Sequence, residues 1–480
     1  MRDEIFDKVN EECGLFGIYN SDNLDIARLT YFSLFALQHR GQESTGIAVM
    51  KDRVLSIHKG MGLANEVFSP TILDQLKGNM AVGHCRYAAN GSSMPLNAQP
   101  IVSKYSKGTV AVAHNGALIN SHKLRAEYEK HGAIFQTTSD AEIISYVIAN
   151  KRLTSKNIEN AVKDMMDDVK GAFSLVVMSP TKLVAARDPH GIRPLCIGRV
   201  KNSYVFASET CALDAIDAEF IRDVNPGEVV YVENGELKSL GGNEPKDGKT
   251  CIFEWIYFAR PDSVIDGASV YEARKEAGKY LALEHPVEAD VVFGVPDSGI
   301  GAGVGYSIGS GIPYEYGFIK NRYIARTFIQ PTQEMREGAV KIKLNVQKSV
   351  VAGKRVVMVD DSIVRGTTCK RIISLLREAG ATEVHVRISS PLFLHPCYFG
   401  TDISSREHLI ATKHSVDGIR DILGADSLGF LSVSNMHKIP VGAECGFCDG
   451  CFTGKYPMDV PEDEIAAHKM SDYIREIGVK

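Results

Sequence analysis

Two hydrophobic rhythms divide the chain. From residue 13 to about 240, apolar and polar positions alternate over short runs. GTVAVAHNG (108–116), GAFSLVVMSPTKLVAARD (171–188) and GEVVYVENGEL (227–237) are each punctuated by Gly, Pro or Asn. Alternation of this kind predicts half-buried β-strands joined by turns. Helical spacing lies between them, as in SDAEIISYVIAN (139–150), where Ser139 or Asp140 is placed to cap. Strands mixed with helices predict stacked sheets under helical layers. Residues 241–249 (GGNEPKDGK) are polar and contain Gly and Pro, and they read as a linker. Beyond it the strands become wholly apolar and run into Gly-containing turns, as in ADVVFGVPDSG (289–299) and GKRVVMVDDSIVRGTT (353–368). A helix at about 369–379 and a strand EVHVRIS (383–389) follow, the repetition of a parallel α/β sheet. The last twenty residues are helical in composition.

Composition narrows the function classes. A length of 480 residues suggests about two or three cores. A formal net charge of −5, with Lys and Arg spread along the chain, gives no footprint for nucleic acid. No run of 18 apolar residues is present, so no spanning helix and no membrane partner is expected. The opening MRDEIFDKVNEE is acidic and lacks an apolar core, unlike a secretory signal, which predicts a cytoplasmic protein. In that compartment the ten cysteines read as thiols, catalytic groups or metal ligands before disulfides.

Cys13, in EECGLFGIY, would alone read as a buried strand thiol. Three further segments change that reading: QHRGQESTGIAV (38–49), GHCRYAANG (83–91) and HNGALIN (114–120), with Asp140 downstream in TTSDAE. Together they resemble the glutaminase domain of the N-terminal-nucleophile amidotransferases over residues 13–240, which implies an αββα sandwich. The resemblance implies that Cys13 is the nucleophile and first residue of the mature chain, which makes residues 1–12 a propeptide. The chemistry requires a base beside the thiol, and a free α-amino group titrating near 7.7–8.0 can serve where a peptide nitrogen cannot. The same resemblance assigns Asn115 and the Gly116 N–H to an oxyanion hole, Arg86 to the α-carboxylate of L-glutamine and Asp140 to its α-ammonium.

The second half carries VVMVDDSIVRGTT (356–368): a strand, two acids, and a Ser/Gly/Thr turn opening a helix. Acids can hold a ribose diol and a hydrated Mg²⁺, while the turn offers N–H groups and hydroxyls to a phosphate. The string resembles the phosphoribosyl diphosphate motif of type I phosphoribosyltransferases, here in residues 250–480 including a helical C-terminal tail. That implies ribose and Mg²⁺ roles for Asp360 and Asp361, and a 5′-phosphate cradle of Ser362, Val364, Arg365, Gly366, Thr367 and Thr368. Ser298, in VPDSG, corresponds to a further Mg²⁺ position. KNRYIARTFIQPTQ (320–333), with Lys341 and Lys343, resembles the loop that closes over the diphosphate.

Glutaminase and phosphoribosyltransferase in this order resemble the glutamine-dependent phosphoribosyl amidotransferases. The implied fold is α/β and α+β in two domains. The implied reaction makes 5-phosphoribosylamine from glutamine and phosphoribosyl diphosphate. Inhibition by AMP, ADP and GMP and a homotetramer are also implied. Cys251, Cys397, Cys448 and Cys451 match an iron–sulfur subgroup with a 4Fe–4S cluster. Spacing alone would equally suit zinc, and Cys445 offers a rival ligand. Cys85, Cys196, Cys211 and Cys369 have no evident metal role. Two other classes fit less well: another class II amidotransferase would lack VVMVDDSIVRGTT, and a non-catalytic nucleotide-binding regulator would not need the glutaminase set.

Overall fold

The computed structural model describes residues 13–87, 93–244, 247–321, 344–401, 403 and 405–461. The expected propeptide, most of the expected closing loop with Lys341 and Lys343, and the C-terminal tail lie outside the described residues.

The first half stacks two antiparallel sheets. In the 7-stranded sheet, Gly14–Tyr19 lies between Ser203–Ala207 and Met80–Arg86, and Met80–Arg86 also pairs with Ser44–Lys51. In the 6-stranded sheet, Gly108–Leu118 lies between Ile101–Tyr105 and Gly171–Met178. Successive strand residues point to opposite faces. Leu15 therefore joins Val82, Ala111, Ala113 and Val176 between the sheets, while Phe16 and Ile18 turn outward onto the helix Ile26–Ala36. On the far side Val110, Val112 and Leu175 pack under the helices Asp140–Lys151 and Ile158–Asp168. The second of these buries Ile158, Ala161, Val162, Met165 and Met166, the spacing of one helical stripe. The result is the αββα order anticipated from the motifs.

Local chemistry explains the breaks. GAFSLVVMSPTKLVAARD becomes two strands, Gly171–Met178 and Lys182–Arg187, because Pro180 cannot donate to a ladder and Ser179 closes the turn onto Lys182. GEVVYVENGEL becomes a hairpin at Asn234 and Gly235, both at positive φ (54° and 80°), the turn that matches strand twist. Ser139 caps its helix by accepting from the Ala141 N–H. The expected linker is tied down rather than loose. Asn243 N–H donates to Pro226 and its side-chain amide to Pro189, while Lys249 N–H reaches His190.

In the second half four parallel strands lie in the order Val291–Gly294, Arg355–Asp360, Glu383–Ile388, Ser427–Phe430. Val292, Val357 and Val359 face the helices Val270–Glu284 and Gly299–Ser310. Phe293, Val356 and Met358 face Thr367–Glu378 and Val416–Leu423. This doubly wound sheet places the Asp360 end of its central strand at the mouth where ligands bind in such folds. The helix expected from about 369 starts at Thr367, because Gly366 at φ +86° turns the chain directly into it.

Buried charge joins the halves. Arg40, with no exposed side-chain area, donates to Glu209 in its own half and to Glu254 in the other. Arg193 adds a contact to Glu254 at 3.6 Å. Arg187 grips Asp266 with two bonds of 2.8 Å. Removing one partner of such a pair strands a buried charge, at a cost of about 3–5 kcal/mol.

Candidate active sites

Cys13 sits at the start of the strand Gly14–Tyr19, half-buried, its thiol 3.6 Å from the Tyr87 carbonyl. The neighbouring strand runs to Arg86, in register with Ser44 on its other side. Arg86 is buried and bonds Glu43 at 3.0 Å, so its charge is held at the sandwich end next to the thiol. Across the gap, the facing sheet contributes Asn115 and Gly116. Asn115 is fully buried, yet among the described residues neither its side-chain oxygen nor its nitrogen has a hydrogen-bond partner. Buried amides are ordinarily satisfied, so an orphaned one marks a place for a ligand. Gly116 has φ +132°, and a Cβ there would lie 2.1 Å from the Ala172 carbonyl, so only glycine fits.

Asp140 comes to the same strand from below, accepting from the Leu118 N–H at 2.9 Å. Its loop is fixed by the buried Glu142, whose carboxylate accepts from Gln136 N, Thr137 N and Thr137 Oγ1 at 2.8–2.9 Å. Asn97 pins Thr138 from both ends. Burial pushes the Asp140 carboxyl up to about 6, against the pull of the Leu118 bond and of Arg125. The structure thus gathers Cys13, Arg86, Asn115, Gly116 and Asp140 at one end of the sandwich.

In the second half Asp360 and Asp361 end the central strand and are buried. Asp361 accepts from Ser298 Oγ on one oxygen and from Ser362 Oγ, at 2.7 Å, on the other. Asp360 accepts from the Asp361 N–H at 3.0 Å. Ser362, Val364, Arg365 and Gly366 form the turn, and Thr367 and Thr368 open a 12-residue helix whose first N–H groups face the same mouth. Ser298, Asp360 and Asp361 form a hard, oxygen-only donor set of the kind that suits Mg²⁺.

Cys251 and Cys448 are partners in a short parallel pair, Lys249–Cys251 with Gly446–Cys448. The Cys451 carbonyl accepts from Leu394 and His395, which leads the chain to Cys397. Burial raises the Cys451 thiol well above its usual range, and Cys397, Cys251 and Cys448 each add to the rise. The Cys448 thiol is pushed up to about 12 by burial, with Cys397 contributing. Cys251, Cys397 and Cys448 therefore all lie near Cys451, and thiols are soft donors of the type that hold such centres once their protons leave. Among the described residues no group of three or more His, Cys, Asp or Glu is arranged to hold a metal ion. Cys445 belongs elsewhere: it interacts with Thr250, Asp266 and Arg187.

Several residues escaped the sequence reading. Arg274 donates to the carbonyls of Trp255, Tyr257 and Ala259, closing the end of the turn Glu254–Phe258. Its spacing with Val270, Gly278 and Leu281 put it on the buried helix face, a signal available from periodicity. Arg193 donates to the Phe399 carbonyl at 2.6 Å, and this seats Gly400 against Gly116. Nothing local in GIRPL announced that contact.

Comparison with known proteins agrees with both halves. The family model of the glutamine amidotransferase domain matches residues 84–215, and that of the phosphoribosyl transferase domain matches residues 270–389. An amidophosphoribosyltransferase of Bacillus subtilis is 48% identical over 466 residues, covering 96% of this chain and 97% of the relative. One from Archaeoglobus fulgidus is 48% identical over 454 residues, covering 94% and 99%. The solved B. subtilis glutamine phosphoribosylpyrophosphate amidotransferase, complexed with ADP and GMP, superposes with a TM-score of 0.87 at 47% identity, covering 95% of this chain and 100% of that one. With nearly its whole length matched at this identity, the chain belongs to the amidophosphoribosyltransferase family, the enzymes of the first step of purine synthesis.

Proposed function

We propose that this chain makes 5-phosphoribosylamine by hydrolysing glutamine at Cys13 and delivering the ammonia to phosphoribosyl diphosphate at Asp360–Asp361. The observation that carries the first half is the buried Asn115, whose amide has no hydrogen-bond partner among the described residues. The freed α-amine of Cys13 takes the thiol proton, and the thiolate attacks the side-chain amide carbon of glutamine. Asn115 Nδ2 and the Gly116 N–H receive the oxygen as it becomes an oxyanion. Arg86 holds the α-carboxylate and Asp140 the α-ammonium. Collapse expels ammonia and leaves a thioester, which water cleaves to glutamate. At the second site ammonia attacks the anomeric carbon and diphosphate leaves, while the turn Ser362–Thr368 holds the 5′-phosphate. Ser298, Asp360 and Asp361 would hold Mg²⁺, which would supply charge neutralisation for the diphosphate.

The α-amine argument makes residues 1–12 a propeptide. N-terminal sequencing of active protein is expected to begin Cys-Gly-Leu-Phe; full glutaminase activity from a chain that still starts at Met1 would refute it. Cys13→Ala is expected to abolish glutamine use while ammonia-dependent synthesis persists. Loss of both activities in a folded Cys13→Ala protein would break the two-site assignment.

On the same reading Cys251, Cys397, Cys448 and Cys451 would hold a 4Fe–4S cluster, which would clamp segments far apart in sequence. Anaerobic protein is expected to carry about four irons and four sulfides per chain. Zinc in their place, or retention of iron in Cys448→Ser but not in Cys445→Ser, would overturn the ligand set. A cytoplasmic homotetramer restrained by AMP, ADP and GMP completes the proposal, with sedimentation and nucleotide-inhibition assays as its checks.

A further inference from the structure

The oxyanion strand loses its ladder partner just before Asn115. Ile101–Tyr105 pairs with Gly108–Leu118 only as far as Ile101 opposite Val112. In an antiparallel strand the N–H and C=O of one residue point to the same side, and alternate residues share that side. His114 is the next residue facing the vacated edge, and a buried backbone pair there needs partners. Two side chains supply them. The His114 N–H donates to Gln99 Oε1 at 2.8 Å, and the His114 carbonyl lies 3.0 Å from His84 Nε2.

His84 comes from the other sheet. It stands in Met80–Arg86, opposite Leu15 of the nucleophile strand and two residues before Arg86. Because a carbonyl can only accept, Nε2 must carry the hydrogen, which fixes the tautomer. Nδ1 is then a bare lone pair, and among the described residues it has no hydrogen-bond partner. The ring is fully buried, and burial with the nearby Arg86 charge pushes its protonation down to about 3, so it stays neutral through the working range.

We propose that His84 is a positioning residue for glutamine hydrolysis: its Nε2–H fixes the His114 carbonyl, and with it the peptide plane that enters Asn115. The strand carrying Arg86 and the strand carrying the oxyanion donor are thereby held at one separation across the sandwich. The inference rests on the reading of Asn115 as that donor. A displacement of the donor acts on the transition state more than on bound glutamine, so it moves kcat rather than KM.

The test uses the processed full-length enzyme with His84→Leu, His84→Gln and His84→Asn, each alone and with Asn115→Ala. Gln places an amide donor at the reach of Nε2, whereas Asn falls short of it. His84→Leu and His84→Asn are expected to lower kcat for glutamine about 10–100-fold, with KM within about two-fold and ammonia-dependent synthesis unchanged. His84→Gln is expected to recover most of the loss. Each double variant is expected to be no slower than Asn115→Ala alone, because a positioning bond has no value without the donor. Should His84→Leu fail to fold, the Gln and Asn pair decides. Equal kcat in those two, or full additivity with Asn115→Ala, would overturn the role of His84. An Asn115→Ala enzyme with normal kcat would instead overturn the reading of the oxyanion site beneath it.

Discussion

Asn115 and Asp361 are both fully buried, yet their side chains are in opposite states. Both polar atoms of Asn115 lack partners. Both oxygens of Asp361 are already engaged, by Ser298 and Ser362. The difference follows from when charge arrives. At the glutamine site the negative charge exists only in the transition state, so a donor held idle in the ground state acts where it accelerates the reaction. On the proposed reading the acids at the diphosphate site would meet a cation and a diol, and hydroxyl donors hold Asp361 in one geometry beforehand. An unpaired amide and a hydrogen-bonded acid are thus two forms of preorganisation.

The largest effect that sharpens this contrast is at the satisfied anion. Asp361→Ala is expected to reduce phosphoribosylamine synthesis to background from either nitrogen source, while basal glutamine hydrolysis survives. Normal synthesis from ammonia in that variant would remove the acid from the ribose site. Next comes the orphan. Asn115→Ala is expected to lower kcat for glutamine about 10²–10³-fold with little change in thermal stability, because no ground-state hydrogen bond is lost. A marked stability loss with unchanged kcat would mean that Asn115 is a structural amide after all.

A third variant probes what lies between the sites. Glu254 is bonded to Arg40 across 214 positions of sequence. Glu254→Gln is expected to cost stability of about 3–5 kcal/mol. The neighbouring Trp255, the chain's only tryptophan, is buried and reports the opening of this interface as urea rises. An unchanged midpoint would show that the charges at this junction are solvated in solution.

The contrast also explains what was legible in the sequence. Motif chemistry is local, so the runs around Cys13, Asn115 and Asp360 carried the resemblance from which the family and the two-domain fold were legible. Hairpins and strand ends were legible wherever Pro180 or Asn234–Gly235 fixed the backbone. Glu254 was not, because its partner is remote and a Glu in an apolar run looks the same paired or exposed. Arg193 depends on Phe399 and Gly400, which only the docking of the halves brings near. His84 stood within a recognised motif, but its role arises from the end of a strand in the other sheet. The start of the helix at Thr367 was missed by two residues because Gly366 was read as part of a longer turn.

The smallest effect concerns Asp140, which sits between the two states: partnered by Leu118 N–H, yet carrying a charge that burial disfavours. With its carboxyl pushed up to about 6 from 3.8, the sign of its contribution to stability is set. That contribution is present in acid, below the unfolded value, and is lost as pH rises through about 6, so at neutral pH the anion weakens the fold. On the proposed role of Asp140, glutamine would reverse the balance, because its α-ammonium would need that anion. Below pH 6 the ionised fraction falls about tenfold per pH unit, and glutamine affinity is expected to fall with it. The rate would confuse this with the α-amine of Cys13, which titrates about two units higher. Calorimetric binding of glutamine to the Cys13→Ala protein avoids the overlap. The dissociation constant is expected to be flat from pH 7 to 8 and to rise below 6, whereas Asp140→Asn should bind weakly at every pH in that range. A flat profile down to pH 5 in the parent protein would place the α-ammonium on another group, leaving Asp140 as a helix-start acid that holds Leu118.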